Sequence, residues 1–300
     1  MEKVILNKLP VATFGWLNVN GAERDIESFG TGEEVFTELT GTAGSPAEAE
    51  ISGGRQRFLI NAKNGAEKKA IIYISGDEGA TLDIEVKAQA GSRVKLVEVF
   101  EHSGAVLNEV KADIGEGAGF ELVQLYIGGK DIVSGTDAKL TGRNAEFTAD
   151  IGYLLEGKEK LDINLVADHR GKKSSSEINV RGVLGDEAEK VFRGTIDFKN
   201  GAVGAKGAEN EEVLLMDEKV RNKTVPLILC AEEDVEGSHG ASIGRIDEGQ
   251  VFYMESRGIP REKIYELMAR AKIAQVAAKI GHEATEQRIA GLIGGGEESE

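Results

Sequence analysis

The residues best suited to chemistry in this chain lie in one short stretch near the end of its β-rich part. His239 sits in the small-residue run Ser238 to Gly244, and Cys230, the only cysteine, precedes it. The intervening acidic residues are Glu232, Glu233, Asp234 and Glu236. A thiolate, an imidazole and several carboxylates are ligands that iron and zinc accept. The stretch therefore indicates metal or sulfur chemistry, or the remnant of it.

The spacing of these residues leaves a structural interpretation open. If 227–236 form one strand, alternation puts Cys230 and three acidic side chains on one face, with Leu229 and Val235 on the other. No CxxC or HxxxH pair accompanies them. Cys230 can equally be a small buried apolar residue, and His239 a hydrogen-bonded turn residue.

The elements that must position these residues are short strands at nearly regular spacing. Apolar residues alternate within them, as in Leu161, Ile163 and Leu165, which is typical of strands with one buried face. Eight strands are predicted: 93–100, 106–114, 119–127, 132–140, 146–154, 160–167, 177–184 and 190–198. A β-sandwich or barrel of hairpins and a stacked solenoid both fit this spacing, and small residues within the strands favour the solenoid.

The number and placement of the glycines also indicate short strands joined by turns. The chain has 39 glycines but only 4 prolines, and the glycines lie between the β-rich segments rather than in one low-complexity block. This distribution is typical of many tight turns.

The pattern changes at both ends of the chain. We expect an N-terminal segment (1–80) docked on a β core (81–245), then a helical C-terminal domain (246–300) whose acidic tail, from Gly294, frays. Helices are predicted at 248–256, from Pro260 to Ile280, and at about 283–292. The second has an apolar stripe formed by Ile264, Leu267, Met268 and Ala271, a pattern usual for packing within a chain.

Composition excludes several classes of partner. The net charge of −16, from 36 basic and 52 acidic residues, disfavours nucleic acid and anionic membrane surfaces. A single cysteine allows no internal disulfide, and the start of the sequence has no apolar leader, so we expect a cytoplasmic protein. No phosphate-binding loop is present.

Several motifs, taken together and in order, resemble the SufB/SufD family of iron–sulfur cluster assembly proteins. The resemblance is SufD-like and covers roughly residues 160–280. Its motifs are Asp168-His169, Ser174 to Ser176, Gly182 to Leu184, Val191 to Gly194, Glu212 to Asp217, Thr224 to Pro226, Glu233 to Val235, Ser238 to Gly244 and Phe252 to Ile259.

The resemblance implies a fold and a set of partners. The fold is mainly β, a right-handed parallel β-helix followed by a small helical C-terminal domain. Family members pair through the β-helix, so a SufB-type subunit or a second copy of this chain is an expected partner. Their C-terminal helices hold SufC, an ABC-type ATPase, which implies that Ile264, Leu267, Met268 and Ala271 form a SufC-binding face rather than an internal one.

The resemblance also implies roles for individual residues. His239 falls on the SufD-type histidine proposed to help hold the nascent cluster. Glu211 stands where SufB-type chains have an essential cysteine, and Gly237 where many SufD chains have a cysteine. Cys230 matches no ligand of the family. His239, Glu211 and Cys230 are therefore the candidate ligands for a transient iron–sulfur cluster at a subunit interface, with no stably bound cofactor.

Three functions follow as hypotheses. The first is a non-catalytic scaffold subunit of iron–sulfur cluster assembly. The second is a β-helix polysaccharide lyase or hydrolase, which the low aromatic content disfavours. The third is a self-assembling structural solenoid.

Overall fold

The computed structural model describes residues 3–13 and 15–294 and shows a parallel β-solenoid with three C-terminal helices. Two sheets of eight parallel strands run side by side, and successive strands of the chain alternate between them. We call them the odd sheet, ordered β3 to β17, and the even sheet, ordered β4 to β18. The strands are β1 Lys3–Leu6, β2 Ala22–Asp25, β3 Glu34–Glu38, β4 Ala47–Ile51, β5 Gly54–Ala62, β6 Glu67–Gly76, β7 Ala80–Ala88, β8 Arg93–His102, β9 Ala105–Ile114, β10 Gly119–Ile127, β11 Asp131–Leu140, β12 Glu146–Leu155, β13 Lys160–His169, β14 Ser175–Leu184, β15 Glu189–Phe198, β16 Ala205–Leu215, β17 Arg221–Cys230 and β18 Val235–Gly244.

The predicted fold class and the eight predicted strands are confirmed. They correspond to β8 through β15, with shifts of a few residues at their ends. Alternate side chains of each strand point into the space between the sheets, where they form one continuous apolar core. Aromatic rings stack along this core from coil to coil, as Phe120 does on Phe147.

Equivalent turns stack along one side of the solenoid, and each has a residue with positive φ. The stack runs through Gly65, Gly91, Gly117, Asn144, Lys173 and Gly204, with φ between 54° at Asn144 and 73° at Gly204. The amide of each residue donates to a carbonyl of the next turn along, as Gly117 does to Arg143. Glycine adopts this backbone conformation at no steric cost, which explains the regular glycines between strands.

The parallel ladder begins earlier in the chain than the predicted boundary at residues 80 and 81. β3 through β6 lie within the segment 1–80 and pair in the same two sheets as the later strands. The start of the ladder is therefore at Glu34. In β4, Ala47–Ile51, two of the three inward side chains are alanines, which give a weaker apolar signal than the larger residues of the later strands.

Three helices cover the outer face of the even sheet. They are α1 Glu248–Ser256, α2 Arg261–Ala277 and α3 Glu283–Ile293, close to the predicted bounds. Ile273 and Val276 of α2 pack on Val97 and Leu125 of the sheet. At the end of α2 two lysines of the sheet bind free backbone carbonyls, Lys69 those of Ile280 and Gly281, and Lys95 that of Lys279. The predicted acidic tail lies outside the described residues apart from Gly294.

An N-terminal strap, residues 3–13 and 15–29, lies on the outside of the odd sheet. Its strands β1 and β2 form an antiparallel pair, and Phe29 is buried against Leu107 and Val133. Under the strap, Arg193 forms a buried ion pair with Asp162. The docked segment therefore ends at Phe29, well before the predicted boundary at residue 80. None of the helices in the described residues is both long enough and apolar enough to span a membrane.

Candidate functional site

The candidate residues lie on the last coil of the solenoid, which is open on its far side. β17 ends the odd sheet and β18 ends the even sheet, so each pairs with a neighbour along one edge only. His239 lies near the middle of β18, and its side chain is exposed. Cys230 is the last residue of β17 and is exposed as well. Both residues are therefore accessible to a binding partner.

The strand register places His239 beside a carboxylate that sequence reasoning missed. In the pairing of β16 with β18, His239 lies opposite Glu209, whereas Glu211 lies opposite Ala241. The buried positions of β16 alternate through Ala205, Gly207, Glu209, Glu211 and Val213, so both glutamates face the interior. This alternation was the available signal for Glu209, once β16 had been recognised as a strand.

Glu211 forms a buried ion pair. Its carboxylate binds the Nζ of Lys190, and both side chains are almost wholly buried. The Nζ also donates to Thr224 Oγ1 at 3.1 Å. Burial lowers the pKa of Lys190, although the charge of Glu211 acts in the opposite direction. Glu211 therefore has an electrostatic partner within its own chain.

Glu209 is a buried carboxylate that shares the charge of the same lysine. Its carboxylate lies against Gly194, where any side chain would collide with it. Burial, and next the charge of Glu211, raise the pKa of Glu209 to about 7, while Lys190 lowers it. One lysine between two glutamates leaves this part of the interior short of positive charge.

Residues 227–236 do not form the single strand considered from the sequence, because β17 ends at Cys230 and β18 begins at Val235. A turn at 231–234 separates β17 from β18, so the expected single face of Cys230, Glu232, Asp234 and Glu236 does not exist. Glu232 instead accepts a hydrogen bond from the amide of Gly201 at 3.0 Å, which lowers the pKa of Glu232. Within residues 3–13 and 15–294, no three His, Cys, Asp or Glu side chains are placed to hold a metal ion.

The other histidines have partners within the chain. His169 bonds Ser174 and Ser176 through its two ring nitrogens, both at 2.8 Å, and burial lowers its pKa to about 4. His102 bonds the carbonyl of Glu78. His282 bonds Thr285 at the start of α3. These contacts leave His239 as the histidine best placed to receive an external ligand.

The predicted partner-binding stripe of α2 is divided between two faces. Ile264 is fully buried, and Met268 packs partly buried in the same cluster with Leu214 of the sheet. Leu267 is 41% exposed and Ala271 is exposed. The stripe therefore serves packing within the chain at Ile264 and Met268, because α2 lies against the even sheet.

Exposed apolar side chains lie instead on the parts of α1 and α2 that face solvent. Phe252 is 72% exposed and Tyr253 is 60% exposed, and both belong to α1. The guanidinium of Arg257 lies 5.1 Å from the centre of the Tyr253 ring. We call Phe252, Tyr253, Leu267 and Ala271 the helical surface. Its aromatic residues are of the kind that contribute most to protein–protein contacts.

Comparison with known proteins identifies one family. Residues 45–272 match the family model described as SUF system FeS cluster assembly, SufBD core domain. The iron–sulfur cluster assembly protein SufD of Bacillus subtilis is 34% identical over 54% of this chain and 37% of its own length. SufD of Escherichia coli is 27% identical over 83% of this chain and 60% of its own length. An iron–sulfur cluster assembly SufBD family protein of Mycobacterium bovis is 24% identical over 90% of this chain and 68% of its own.

These matches extend beyond the motifs quoted from the sequence. The chain spans between about a third and three fifths of the length of the two SufD proteins. The matched region contains the coils from β4 onward, the open coil with His239, and α1 with most of α2. The chain belongs to the SufBD family of iron–sulfur cluster assembly proteins.

Proposed function

We propose that this chain is a non-catalytic scaffold subunit of the SUF system for iron–sulfur cluster assembly. The observation that carries the proposal is the match of the SufBD core domain to residues 45–272, which include the open last coil and most of the helical cover. A solenoid suits this role because it presents long strand edges and a rigid surface to other subunits.

In this proposal the open coil is the contact with a second subunit, either a SufB-type chain or another copy of this one. The unpaired edges of β17 and β18 offer backbone donors and acceptors for such a contact. The nascent cluster is cargo held transiently at the contact. His239 supplies one ligand from this chain, Cys230 is a second candidate on the same coil, and the partner supplies the rest. Since Glu211 is paired with Lys190, it serves the charge balance behind the site.

The helical surface is the proposed contact with a SufC-type ABC ATPase. It is exposed and apolar, and it belongs to helices that rest on the even sheet. A force applied to α1 and α2 by an ATPase would therefore be transmitted to the coils through packed side chains. Ile264 and Met268 support this surface from below.

One co-expression experiment tests both contacts. The chain is produced anaerobically with the ATPase and its neighbouring subunits, and co-purification and the cluster's visible absorption are recorded. We expect His239→Ala to abolish the absorption while all subunits still co-purify, with Ser238→Ala on the same strand as the matched control. Cys230→Ser is expected to reduce the absorption only if Cys230 is a second ligand of the cluster.

The helical surface is tested in the same system by point substitution. Deleting α2 and α3 would uncover the apolar face of the even sheet, so it is not a clean test. We expect Phe252→Ala combined with Leu267→Glu to reduce ATPase recovery at least tenfold, whereas Leu292→Ala, at a 38% exposed position of α3, leaves it unchanged. Normal recovery with the double variant would overturn the assignment of this surface.

A further inference from the structure

The N-terminal strap reaches the same open coil that carries His239. Its contacts follow successive strands of the odd sheet toward the open end. Arg24 bonds Asp131 of β11, and Asn7 bonds Asp162 of β13. The carbonyl of Val19 accepts from Arg193 of β15. Lys223 of β17, the last strand, then donates to the carbonyl of Leu17 at 3.1 Å.

The tip of the strap presents an exposed tryptophan. Gly15–Leu17 form a single 3₁₀ turn, and Trp16, the only tryptophan of the chain, is 78% exposed. The backbone on its C-terminal side is held by Lys223 and Arg193, so the ring is attached to an anchored segment. A large aromatic side chain held in solvent on a fixed backbone loses little conformational entropy when a partner covers it.

The open coil of β17 and β18, beside the tip of the strap, also leaves apolar side chains partly exposed. Ile228 of β17 and Val235 of β18 extend the interior core but are only partly buried, and Ile243 is 44% exposed. Each of the two strands has ten residues, with one edge unpaired. Such an edge is complementary to its own copy, because antiparallel strands related by a two-fold axis exchange matching donors and acceptors.

We propose that the strap tip is part of the surface on which a second copy of this chain docks, with Trp16 as an anchoring side chain at the rim of the contact between open coils. The inference rests on the proposed function, in which the open coil is a subunit contact. It adds a segment outside the matched core domain, which starts at residue 45. The pairing of strand edges supplies the geometry, and the aromatic ring supplies apolar burial beside it.

The test uses the tryptophan as its own probe. Because Trp16 is the only tryptophan, the fluorescence emission of the chain reports its surroundings directly. The chain is diluted from about 100 µM to about 0.1 µM, a range that brackets micromolar dissociation constants, while emission and sedimentation are followed. We expect a dimer at high concentration, and a shift of the emission to longer wavelength as the dimer dissociates.

Three variants complete the design, each checked for folding by circular dichroism. Trp16→Ala is expected to weaken the dimer at least tenfold, and Ile243→Asp, which puts a charge on the open coil, to abolish it. Leu292→Ala, at an exposed apolar position of α3, is the control and leaves the dimer unchanged.

The outcomes separate the two proposals. If Ile243→Asp abolishes the dimer while Trp16→Ala dimerises like the parent chain and the emission never shifts, the strap inference is wrong and the proposed open-coil contact stands. If the parent chain remains monomeric at every concentration, pairing with a second copy is wrong, and the strap inference fails with it.

Discussion

Glu98 is a carboxylic acid at the centre of the solenoid, and its surroundings favour the protonated form. It is wholly buried and accepts a hydrogen bond from Gln124 at 2.8 Å. Nearby, Asn108 and Tyr126 both donate to the hydroxyl of Ser134. Burial raises the pKa of Glu98 from 4.5 to about 7, and the hydrogen bond from Gln124 only partly opposes this. Between these two pKa values Glu98 is therefore protonated in the folded chain and ionised in the unfolded chain.

This proton makes stability depend on pH in a predictable direction. Between pH 4.5 and about 7 the unfolded chain binds fewer protons at this residue than the folded chain, so the free energy of unfolding falls as pH rises. Glu98→Gln keeps an amide in place of the protonated acid and removes the effect. We expect the variant to gain on the order of 1–3 kcal/mol relative to the parent between pH 5 and 7.5, since one pKa unit corresponds to about 1.4 kcal/mol.

The measurement is urea unfolding across this pH range. Glu116→Gln, at an exposed turn position, is the matched control for replacing a glutamate by glutamine. If the difference in free energy of unfolding between Glu98→Gln and the parent does not change with pH, Glu98 is ionised in the folded chain.

Only part of the candidate site could be predicted from individual residues of the sequence. His239 could be singled out from its motif, and the structure places it exposed on the open coil. The roles of Glu209 and Glu211 were hidden, because two charged residues in an acidic chain suggest solvent exposure. Their burial is balanced by the charge of Lys190, which lies 21 residues before Glu211 and reaches it only because the coils stack. Such a contact has no local signal in the sequence.

At the scale of elements, regular apolar alternation predicted the strands from β8 to β15, although β7 alternates in the same way at Leu82, Ile84 and Val86 and was not predicted. From Arg93 to Phe198 the interior positions are mostly large and apolar, and every predicted strand exists. The strands near both ends were missed for different reasons. β4 has the sequence Ala-Glu-Ala-Glu-Ile, in which two of the three inward side chains are alanines. β17 and β18 are joined by the acidic turn 231–234, which lacks the glycine that marked other turns.

The helical cover depends on a close approach at Gly152. This residue of β12 faces α2, and a Cβ placed on it would lie 2.6 Å from Leu125 Cδ2 and 3.2 Å from Val276 Cβ. Gly152→Val therefore forces α2 away from the sheet, and overpacking of this kind costs about 1–3 kcal/mol. We expect amide hydrogen exchange to rise throughout α2 and α3, while the interior coils keep their protection.

The matched control for this prediction is Thr148→Val on the same strand, near the groove beyond the end of α2. Equal exchange in α2 for Gly152→Val and the parent would mean that the sheet, rather than the helix, yields to the added side chain.

At the scale of the whole molecule, the two ends of the solenoid differ in a way that bears on assembly. At the N-terminal end, β3 and β4 have five residues each and contain Glu34, Glu38, Glu48 and Glu50. At the C-terminal end, β17 and β18 have ten residues each, and 237–244 in β18 carry no carboxylate. Short, acidic edge strands resist pairing with other chains, whereas a long strand with an uncharged stretch, such as 237–244, permits it. This asymmetry favours a closed dimer over an open-ended fibre.

The difference between the two ends of the solenoid predicts the size at which self-association stops. We expect the mass measured by light scattering to reach a plateau at two chains as concentration rises, because the only favourable edges are then covered. Replacing Glu34, Glu38 and Glu48 with threonine removes the repulsion at the N-terminal end, where Val35 and Phe36 are already more than half exposed. This triple variant should form larger species whose mass keeps rising with concentration. If the parent chain itself grows without a plateau, the molecule is a self-assembling solenoid, and the closed scaffold proposed for cluster assembly is wrong.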